Sequence, residues 1–321
     1  MDDVSFRDPF GISVVIVNWN GRDALSACLS SLQRQTDPDF EVIVVDNGSS
    51  DGSEELLRER FPAVRVVQTG ENLGFAEGSN RGIAASDRAW LALLNNDTLA
   101  EPDWIQQLRR AARAGGPELG MLQSRMLFQQ RPDHTNSTGV EIYADGSFAD
   151  RDYDRPLDAA GGEDVFCVCA GAALYRRSML EQVALETGIF DRSFFMYFED
   201  VDLGWRCRLA GYDARYVPEA TVLHAFRGSS SRRGQDFVAL HCARNRVRTL
   251  LKNASLGHLV RSAPRLSRDL IWLAKRRGIA TLSDYASALR DGFRQRSAVT
   301  ALSRSERAEI ERLWLRPRRG E

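Results

Sequence analysis

Apolar runs that alternate with segments of helical spacing constrain this 321-residue chain most strongly. Four runs rich in Val, Ile and Leu, within ISVVIVNWN, FEVIVVD, VRVVQ and AWLALL, each precede a segment typical of a helix. Such runs predict strands buried on both faces of a sheet, and short strand–helix–strand connections predict right-handed crossovers. We therefore expect an α/β, doubly wound fold of the nucleotide-binding type, with a mostly parallel central sheet.

The chain is less regular after this first half. We expect MLQSRMLF and GVEIYADG to pair as strands, residues 151–164 to form a loop, and a helix over 199–211 to end at Gly211. From about residue 235 the pattern is helical and basic. A larger domain over 1–235 is therefore expected to precede an α-helical C-terminal extension over 236–321.

Charge is unevenly distributed along the chain. Residues 241–321 contain 19 Lys and Arg against 7 Asp and Glu, a net charge of +12, whereas residues 1–240 carry −13. A basic segment on an acidic body predicts an anionic partner for the segment. Basic helices with Trp272, Trp314 and leucines suit an anionic membrane surface. The alternative, equally open, is a helical extension that packs on the larger domain or on a second subunit as a homodimer. Nucleic acid is disfavoured because no reader motif accompanies the charge.

The expected location is cytoplasmic. No apolar run approaches the ~18 residues that a membrane-spanning helix needs. The N-terminal MDDVSFRDPFGISVV lacks the basic-then-apolar order of a signal peptide. The five cysteines lack the spacing of a zinc site and are expected to be reduced thiols. If the basic helices dock on lipid, the protein is peripheral on the inner face of the cytoplasmic membrane.

Polar side chains end three of the predicted strands, at Asn18, at Asp46 and at Asn95-Asn96-Asp97. The carboxyl ends of parallel strands line the ligand crevice of such folds. One Asp at a strand end is also typical of a turn. Two at adjacent strand ends, as we expect Asp46 and Asp97 to be, can hold a divalent cation with a sugar nucleotide, because Mg²⁺ commonly bridges carboxylates and substrate phosphates.

Three carboxylates, Glu199, Asp200 and Asp202, follow a group of aromatic residues in FFMYFEDVDLGWR. Acidic residues at a helix start are also typical complements of the helix dipole. A carboxylate beside aromatic surface is partly desolvated, which raises its pKa and suits it to act as a general base. Arg206 lies one turn beyond Asp202 and is expected to pair with it.

His224 follows an apolar strand, and Arg227 lies three residues further on. A lone histidine is more often structural than a ligand, but both side chains are placed to face the same crevice, and arginine suits diphosphate recognition. The chain has no Gly-x-Gly-x-x-Gly after its first strand, which disfavours NAD or FAD. It also has no Walker P-loop and no Gly-x-Ser-x-Gly.

Seven motifs occur in the order SVVIVNWNG, EVIVVDNGSSDGS, NLGFAEGSNRGI, LLNNDT, CAGAALYRRS, FDRSFFMYFEDVDLGWRCRLAGY and LHAFRGSS. Their order and separations resemble those of the family-2 glycosyltransferases, which have the GT-A fold, over roughly residues 11–250. The most similar subgroup is the bacterial rhamnosyltransferases and related enzymes of O-antigen and cell-wall polysaccharide assembly. The resemblance divides the larger domain into a nucleotide-binding half, 11–115, and an acceptor half, 116–235.

The resemblance implies an inverting transfer of a sugar from a nucleoside diphosphate, dTDP-L-rhamnose being favoured, to a hydroxyl of a glycan or lipid-linked glycan. A divalent cation, Mg²⁺ or Mn²⁺, is the implied cofactor. The implied site residues are Asn18, Asp46, Asn72, Gly74, Asn95, Asn96 and Arg227 for the donor, Asp97 and His224 for the metal, Asp200 as catalytic base, and Glu199, Asp202 and Arg206 in support.

One departure from the family pattern concerns the metal. Asn95 stands where the Asp-x-Asp motif has its first aspartate, so that Asp97 is its single anionic ligand and a lower metal affinity is expected. Three alternatives stay open: a UDP-sugar-dependent transferase of the same fold, a non-catalytic sugar-nucleotide-binding protein, and a nucleotidyltransferase. A non-catalytic protein is expected to lose the acidic cluster at 199–202, and NWNGRDAL is a poor phosphate-binding loop for a nucleotidyltransferase.

Overall fold

A computed structural model describes residues 8–159, 161–225, 234–278 and 280–317 of the chain. Its helices are α1 Arg22–Leu32, α2 Ser53–Arg60, α3 Gly74–Ala84, α4 Trp104–Ala114, α5 Arg177–Gln182, α6 Glu199–Leu209, α7 Gln235–Asn253, α8 Leu256–Arg277, α9 Ala280–Leu302 and α10 Arg307–Trp314. Its strands are β1 Ile12–Asn18, β2 Phe40–Asp46, β3 Arg65–Gln68, β4 Trp90–Leu94, β5 Thr98–Ala100, β6 Leu119–Phe128, β7 Arg131–Ser137, β8 Val140–Tyr143, β9 Phe148–Asp150, β10 Ala172–Arg176, β11 Asp213–His224 and β12 Leu315–Arg316.

The large sheet has the order β3-β2-β1-β4-β10-β6-β11-β5, with β7 paired to β6. The strands of the first half, β1 to β4, pair in parallel, as the sequence predicts. Beyond them the sheet is mixed, because β10 runs antiparallel between β4 and β6. The α/β prediction is therefore confirmed, and the parallel character is concentrated in the nucleotide-binding half.

The predicted pairing of MLQSRMLF with GVEIYADG is wrong. The first segment lies in β6, whose partners are β7, β10 and β11, whereas the second contributes β8 to a separate sheet of order β12-β8-β9. Gly139, with φ +131°, lies between β7 of the large sheet and β8 of the small sheet, where the chain changes direction. The loop predicted over residues 151–164 begins with turns and contains a short 3₁₀ helix at Leu157–Ala159.

Strand β1 shows why the sheet forms where the sequence predicts. Ile12, Val14 and Ile16 point into a core on one face of the sheet, and Val15 points into the core on the other face. A continuous apolar run thus buries both faces of a central strand. Helix α6 ends where predicted, because Gly211 adopts φ +87° just beyond its last turn.

The C-terminal helices pack against the rest of the protein. Leu250 and Ala254 of this segment share a core with Trp205 of α6 and with β8, and β12 returns the chain to pair with β8. All five cysteines are free thiols, as predicted. Within the described ranges, no helix combines the length and the apolar character needed to cross a bilayer.

Candidate active site

A cavity of about 880 Å³ opens at the carboxyl end of the central strands. Val17 and Trp19 at the end of β1 and Asn95-Asn96-Asp97 after β4 line it. The N-terminal residues of α3, α6 and α7 also line it, so that elements from both halves of the chain meet there. This is the crevice that the sequence predicts from the strand ends.

The expected adjacency of Asp46 and Asp97 is wrong, because β1 lies between β2 and β4 in the sheet. The side chain of Asp46 is buried and does not line the cavity, and its Oδ1 lacks a hydrogen-bond partner among the described residues. Asn18 is also buried: its Oδ1 accepts from Nδ2 of Asn96 at 2.7 Å, and its own Nδ2 donates to Oγ of Ser53 at 3.0 Å. Asn18 therefore links Asn96, which follows β4, to Ser53 at the start of α2.

Asp97 and His224 meet as predicted. Oδ1 of Asp97 lies 3.1 Å from Nε2 of His224, and Nδ1 of that imidazole lies 2.8 Å from Oδ1 of Asn136. Strand β11 places His224 opposite Thr98, directly beside Asp97. Asn136, on β7, is a residue that the sequence analysis missed, because only the β6–β7 hairpin brings it to the cavity.

The Asp97–His224 pair fits a divalent cation in part. Oδ2 of Asp97 is buried without a hydrogen-bond partner among the described residues, as is expected of an oxygen kept for a cation. Carboxylate oxygen suits Mg²⁺ and Mn²⁺, and imidazole nitrogen is a ligand of divalent first-row transition metals. In the described ranges no three His, Cys, Asp or Glu side chains cluster as a metal site. The protein would thus supply two ligands, and oxygens of a diphosphate the others.

Asp200 lines the cavity from the first turn of α6. Its Oδ2 accepts from the backbone N–H of Ala170 at 3.1 Å, and Oδ1 accepts from that of Val201 at 2.8 Å. Burial raises the pKa of Asp200 to about 6 despite these hydrogen bonds, and the charge of Asp150 adds to the shift. Asp150, at the end of β9, also lines the cavity and was missed by the sequence analysis.

The other acidic-cluster residues do not line the cavity. Burial and the neighbouring Asp200 raise the pKa of Glu199 well above its ordinary value, and Oε2 of Glu199 has no hydrogen-bond partner among the described residues. Asp202 points into the protein, where its Oδ2 lies 3.1 Å from Nε of Arg206. The predicted pair is thus confirmed, and both of its side chains are fully buried.

Asn72 and Gly74 shape the entrance of α3. The side chain of Asn72 accepts from the backbone N–H of Gly74 at 2.9 Å, and Asn47 donates to the carbonyl of Gly74 at 2.9 Å. Gly74 has φ +82°, and a Cβ there would overlap the carbonyl oxygen of Phe195. Only glycine therefore allows the two halves of the site to approach this closely. The predicted donor residue Arg227 lies outside the described residues.

Two solved structures have a similar fold. The mannosyltransferase PcManGT from Pyrobaculum calidifontis, in complex with GDP-Man and Mn²⁺, superposes with a TM-score of 0.54 at 16% identity, over 97% of this chain and 88% of its own. GalNAc-T7 with UDP, GalNAc and Mn²⁺ gives 0.59 at 15% identity, over 75% of this chain and 48% of its own. The fold is therefore GT-A.

The sequence comparisons identify the family. The model of glycosyl transferase family 2 matches residues 13–184. The N-acetylglucosaminyl-diphospho-decaprenol L-rhamnosyltransferase of Mycobacterium tuberculosis is 32% identical over 252 residues, which cover 72% of this chain and 81% of that protein. The chain belongs to glycosyltransferase family 2, and it is a glycosyltransferase.

Proposed function

We propose that this protein transfers L-rhamnose from a nucleoside diphosphate, with inversion, to a hydroxyl of a lipid-linked glycan in bacterial cell-wall or polysaccharide assembly. One observation carries the proposal: a single cavity contains both the Asp97–His224 pair and the half-buried carboxylate of Asp200. A diphosphate and an attacking hydroxyl need these two kinds of group. The identity with the mycobacterial rhamnosyltransferase supports rhamnose and a lipid-linked acceptor.

Asp200 is proposed as the general base. Ionised at neutral pH but with a pKa of about 6, it can take the proton of the acceptor hydroxyl as that oxygen attacks the anomeric carbon. The N–H groups of Ala170 and Val201 fix the orientation of its carboxylate. One displacement of this kind inverts the anomeric centre, so no covalent nucleophile on the protein is required.

Asp97 and His224 are proposed to hold the divalent cation with the donor diphosphate. When bound, such a cation offsets the negative charge that develops on the leaving diphosphate. Asn95 and Asn96 line the same wall and present neutral amides to the donor. Asn47, Asn72 and Gly74 line the cavity and are proposed to contact the nucleoside, and Asp46 is buried next to Asn47 in the sequence.

The basic C-terminal helices are proposed to dock the protein on the inner face of the cytoplasmic membrane, where a lipid-linked acceptor lies. Large apolar side chains are exposed there, including Leu256 and Val260, each 74% exposed, and Leu313, 70% exposed. Arg261 lies among them with half of its side chain exposed. Exposed apolar and basic side chains on amphipathic helices favour anionic lipid. Flotation with vesicles that contain anionic lipid, at low and at high salt, tests this proposal. If the protein binds the vesicles at neither salt concentration, it does not dock on the membrane.

A panel of sugar nucleotides tests the donor. Release of the nucleoside diphosphate is measured with Mg²⁺ or Mn²⁺ and with metal chelated, first without acceptor and then with an N-acetylglucosaminyl-diphospho-lipid. We expect dTDP-L-rhamnose to be turned over fastest and the acceptor to accelerate release. If a UDP-sugar is turned over faster, that sugar nucleotide is the donor, and the proposed type of reaction is unchanged. Binding of a sugar nucleotide without turnover of any, with the acceptor present, would contradict the proposed transfer.

A further inference from the structure

The segment that precedes Asp200 has a strained backbone. We call residues 194–198, which run from the last residue of the 3₁₀ helix Arg192–Phe194 to the residue before α6, the aromatic loop. Phe195, Tyr197 and Phe198 all have positive φ, between 65° and 70°. Phe195, with ψ −61°, is the centre of a tight γ-turn closed by the N–H of Met196 and the carbonyl of Phe194 at 2.8 Å. This turn type is rare and strained, and it persists only where surrounding structure enforces it.

Helix α7 supplies the group that binds this loop. Asn245 is fully buried, and its Nδ2 lies 3.0, 2.8 and 2.9 Å from the carbonyl oxygens of Phe194, Met196 and Tyr197. Its own Oδ1 accepts from Arg248 at 3.1 Å, which fixes the orientation of the amide. The two hydrogens of one amide from the C-terminal segment are therefore shared among three carbonyls of the strained loop.

A buried charge cluster ties the same helix to both ends of the loop. Nζ of Lys252 lies 2.8 Å from Oδ2 of Asp191, before the loop, and 2.8 Å from Oδ2 of Asp202, after it. All three side chains are fully buried. Asn253 donates to the second oxygen of Asp202 at 2.9 Å, and Arg206 contributes the second cation. Two cations thus face two anions, which is the balance that a buried ionic cluster needs.

We infer that Asn245 and Lys252 are positioning residues that hold the aromatic loop, and through it Asp200, in the conformation that transfer requires. Neither side chain lines the cavity, whereas Met196, Tyr197 and Asp200 do. Their effect therefore reaches the reaction through the backbone of the loop and the first turn of α6. The inference rests on the proposed role of Asp200 as the base.

This inference also changes the proposed division of the chain. The boundary predicted from the sequence, at residue 235, falls at the first residue of α7. Gln235, Val238 and Ala239 line the cavity, and Asn245 and Lys252 hold the loop. We assign α7 to the catalytic unit and begin the C-terminal extension at Ala254.

The test compares Asn245→Ala with Asn80→Ala in the full chain. Asn80 is a matched control, because its side chain also binds backbone, accepting from the N–H of Phe190 at 2.9 Å and donating to its carbonyl at 2.7 Å, ahead of the aromatic loop. Two readouts are measured: hydrogen exchange of the amides of residues 194–201, and kcat and donor KM. Calorimetry with dTDP and Mn²⁺ gives nucleotide affinity separately.

For Asn245→Ala we expect faster exchange in 194–201 and a kcat lower by about tenfold to a hundredfold, as small misplacements of catalytic groups cause. The donor KM and the dTDP affinity should stay within about twofold of wild type, because the donor wall is built by β1, β4 and α3. Asn80→Ala should keep the kcat. Unchanged exchange, or a kcat equal to that of Asn80→Ala, would overturn the inference.

A charge-balanced double variant keeps the test decisive if Asn245→Ala does not fold. Lys252→Met with Asp191→Asn removes one cation and one anion, leaving the Asp202–Arg206 pair intact. The same loss of kcat at constant donor KM is expected, and wild-type kcat in a folded double variant would refute the role of Lys252. If wild type turns over no donor, the proposed function fails, while hydrogen exchange still decides whether α7 holds the loop.

Discussion

Replacing Asp200 with Asn should abolish transfer and stabilise the protein at the same time. The carboxyl has a pKa raised from 3.8 to about 6, first by burial. A raised carboxyl pKa means that the native state binds the proton more tightly than the unfolded chain. Stability is therefore lost as the pH rises from about 3.8 to about 6, and the whole loss is present at pH 7.

The magnitude follows from the shift. About 2.2 pKa units at about 1.36 kcal/mol each give about 3 kcal/mol of native-state destabilisation by the ionised carboxylate. Asn removes this cost, but its NH₂ group leaves one of the two backbone N–H groups without an acceptor, at about 1–2 kcal/mol. The net gain expected for Asp200→Asn at pH 7 is about 1–2 kcal/mol in the free energy of unfolding.

Urea unfolding at pH 7 and at pH 4 measures this gain, and steady-state kinetics measures the loss of activity. The stabilisation should shrink at pH 4, where Asp200 is protonated in wild type. In wild type, log kcat/KM should fall below pH 6 with a slope near one as the base is protonated. Donor affinity should be nearly intact in the variant. A variant that keeps transfer, or one that loses both donor affinity and stability, would refute the assignment of Asp200.

Three further predictions concern the Asp97–His224 pair, Gly74 at the start of α3, and the buried charge cluster around Lys252. Asp97→Asn should weaken Mn²⁺-dependent donor binding by about tenfold or more, because it removes the motif's only anionic ligand; calorimetry with and without metal measures this, and equal affinities would contradict it. Gly74→Ala should lower the free energy of unfolding by about 2 kcal/mol or more, since its φ is +82° and a Cβ would displace Phe195; an unchanged urea midpoint would contradict this. Lys252→Met should lower the free energy of unfolding by about 3–5 kcal/mol, because it leaves the buried carboxylates of Asp191 and Asp202 with one cation fewer. Urea unfolding measures this, and a loss below about 1 kcal/mol would show that water, not Lys252, stabilises the two carboxylates.

The local sequence pattern predicts the nucleotide-binding half of the fold well. Strand β1 buries alternate residues on two faces, so its continuous apolar run specifies a central parallel strand without further information. The strand ends likewise predict the cavity, since Asn95, Asn96 and Asp97 follow directly from where β4 stops. The pairing of Asp202 with Arg206 is equally local, because one helical turn separates them.

Contacts between distant segments are not predicted in this way. The strand order places β1 between Asp46 and Asp97, and no local pattern encodes that order. Asn136 and Asp150 reach the cavity only through the β6–β7 hairpin and the small sheet. Lys252 lies 50 residues from Asp202 in the sequence. The sequence identifies the C-terminal segment only by its positive charge, and this charge does not indicate that Lys252 is buried against α6.

The configuration of the product tests the central claim most directly. Wild-type protein, dTDP-L-rhamnose, Mn²⁺ and an N-acetylglucosaminyl-diphospho-lipid acceptor are incubated, and the anomeric configuration of the new glycosidic bond is read by NMR. A single displacement assisted by Asp200 predicts the configuration opposite to that of the donor, with loss of product in Asp200→Asn. A product that retains the donor configuration would contradict the account.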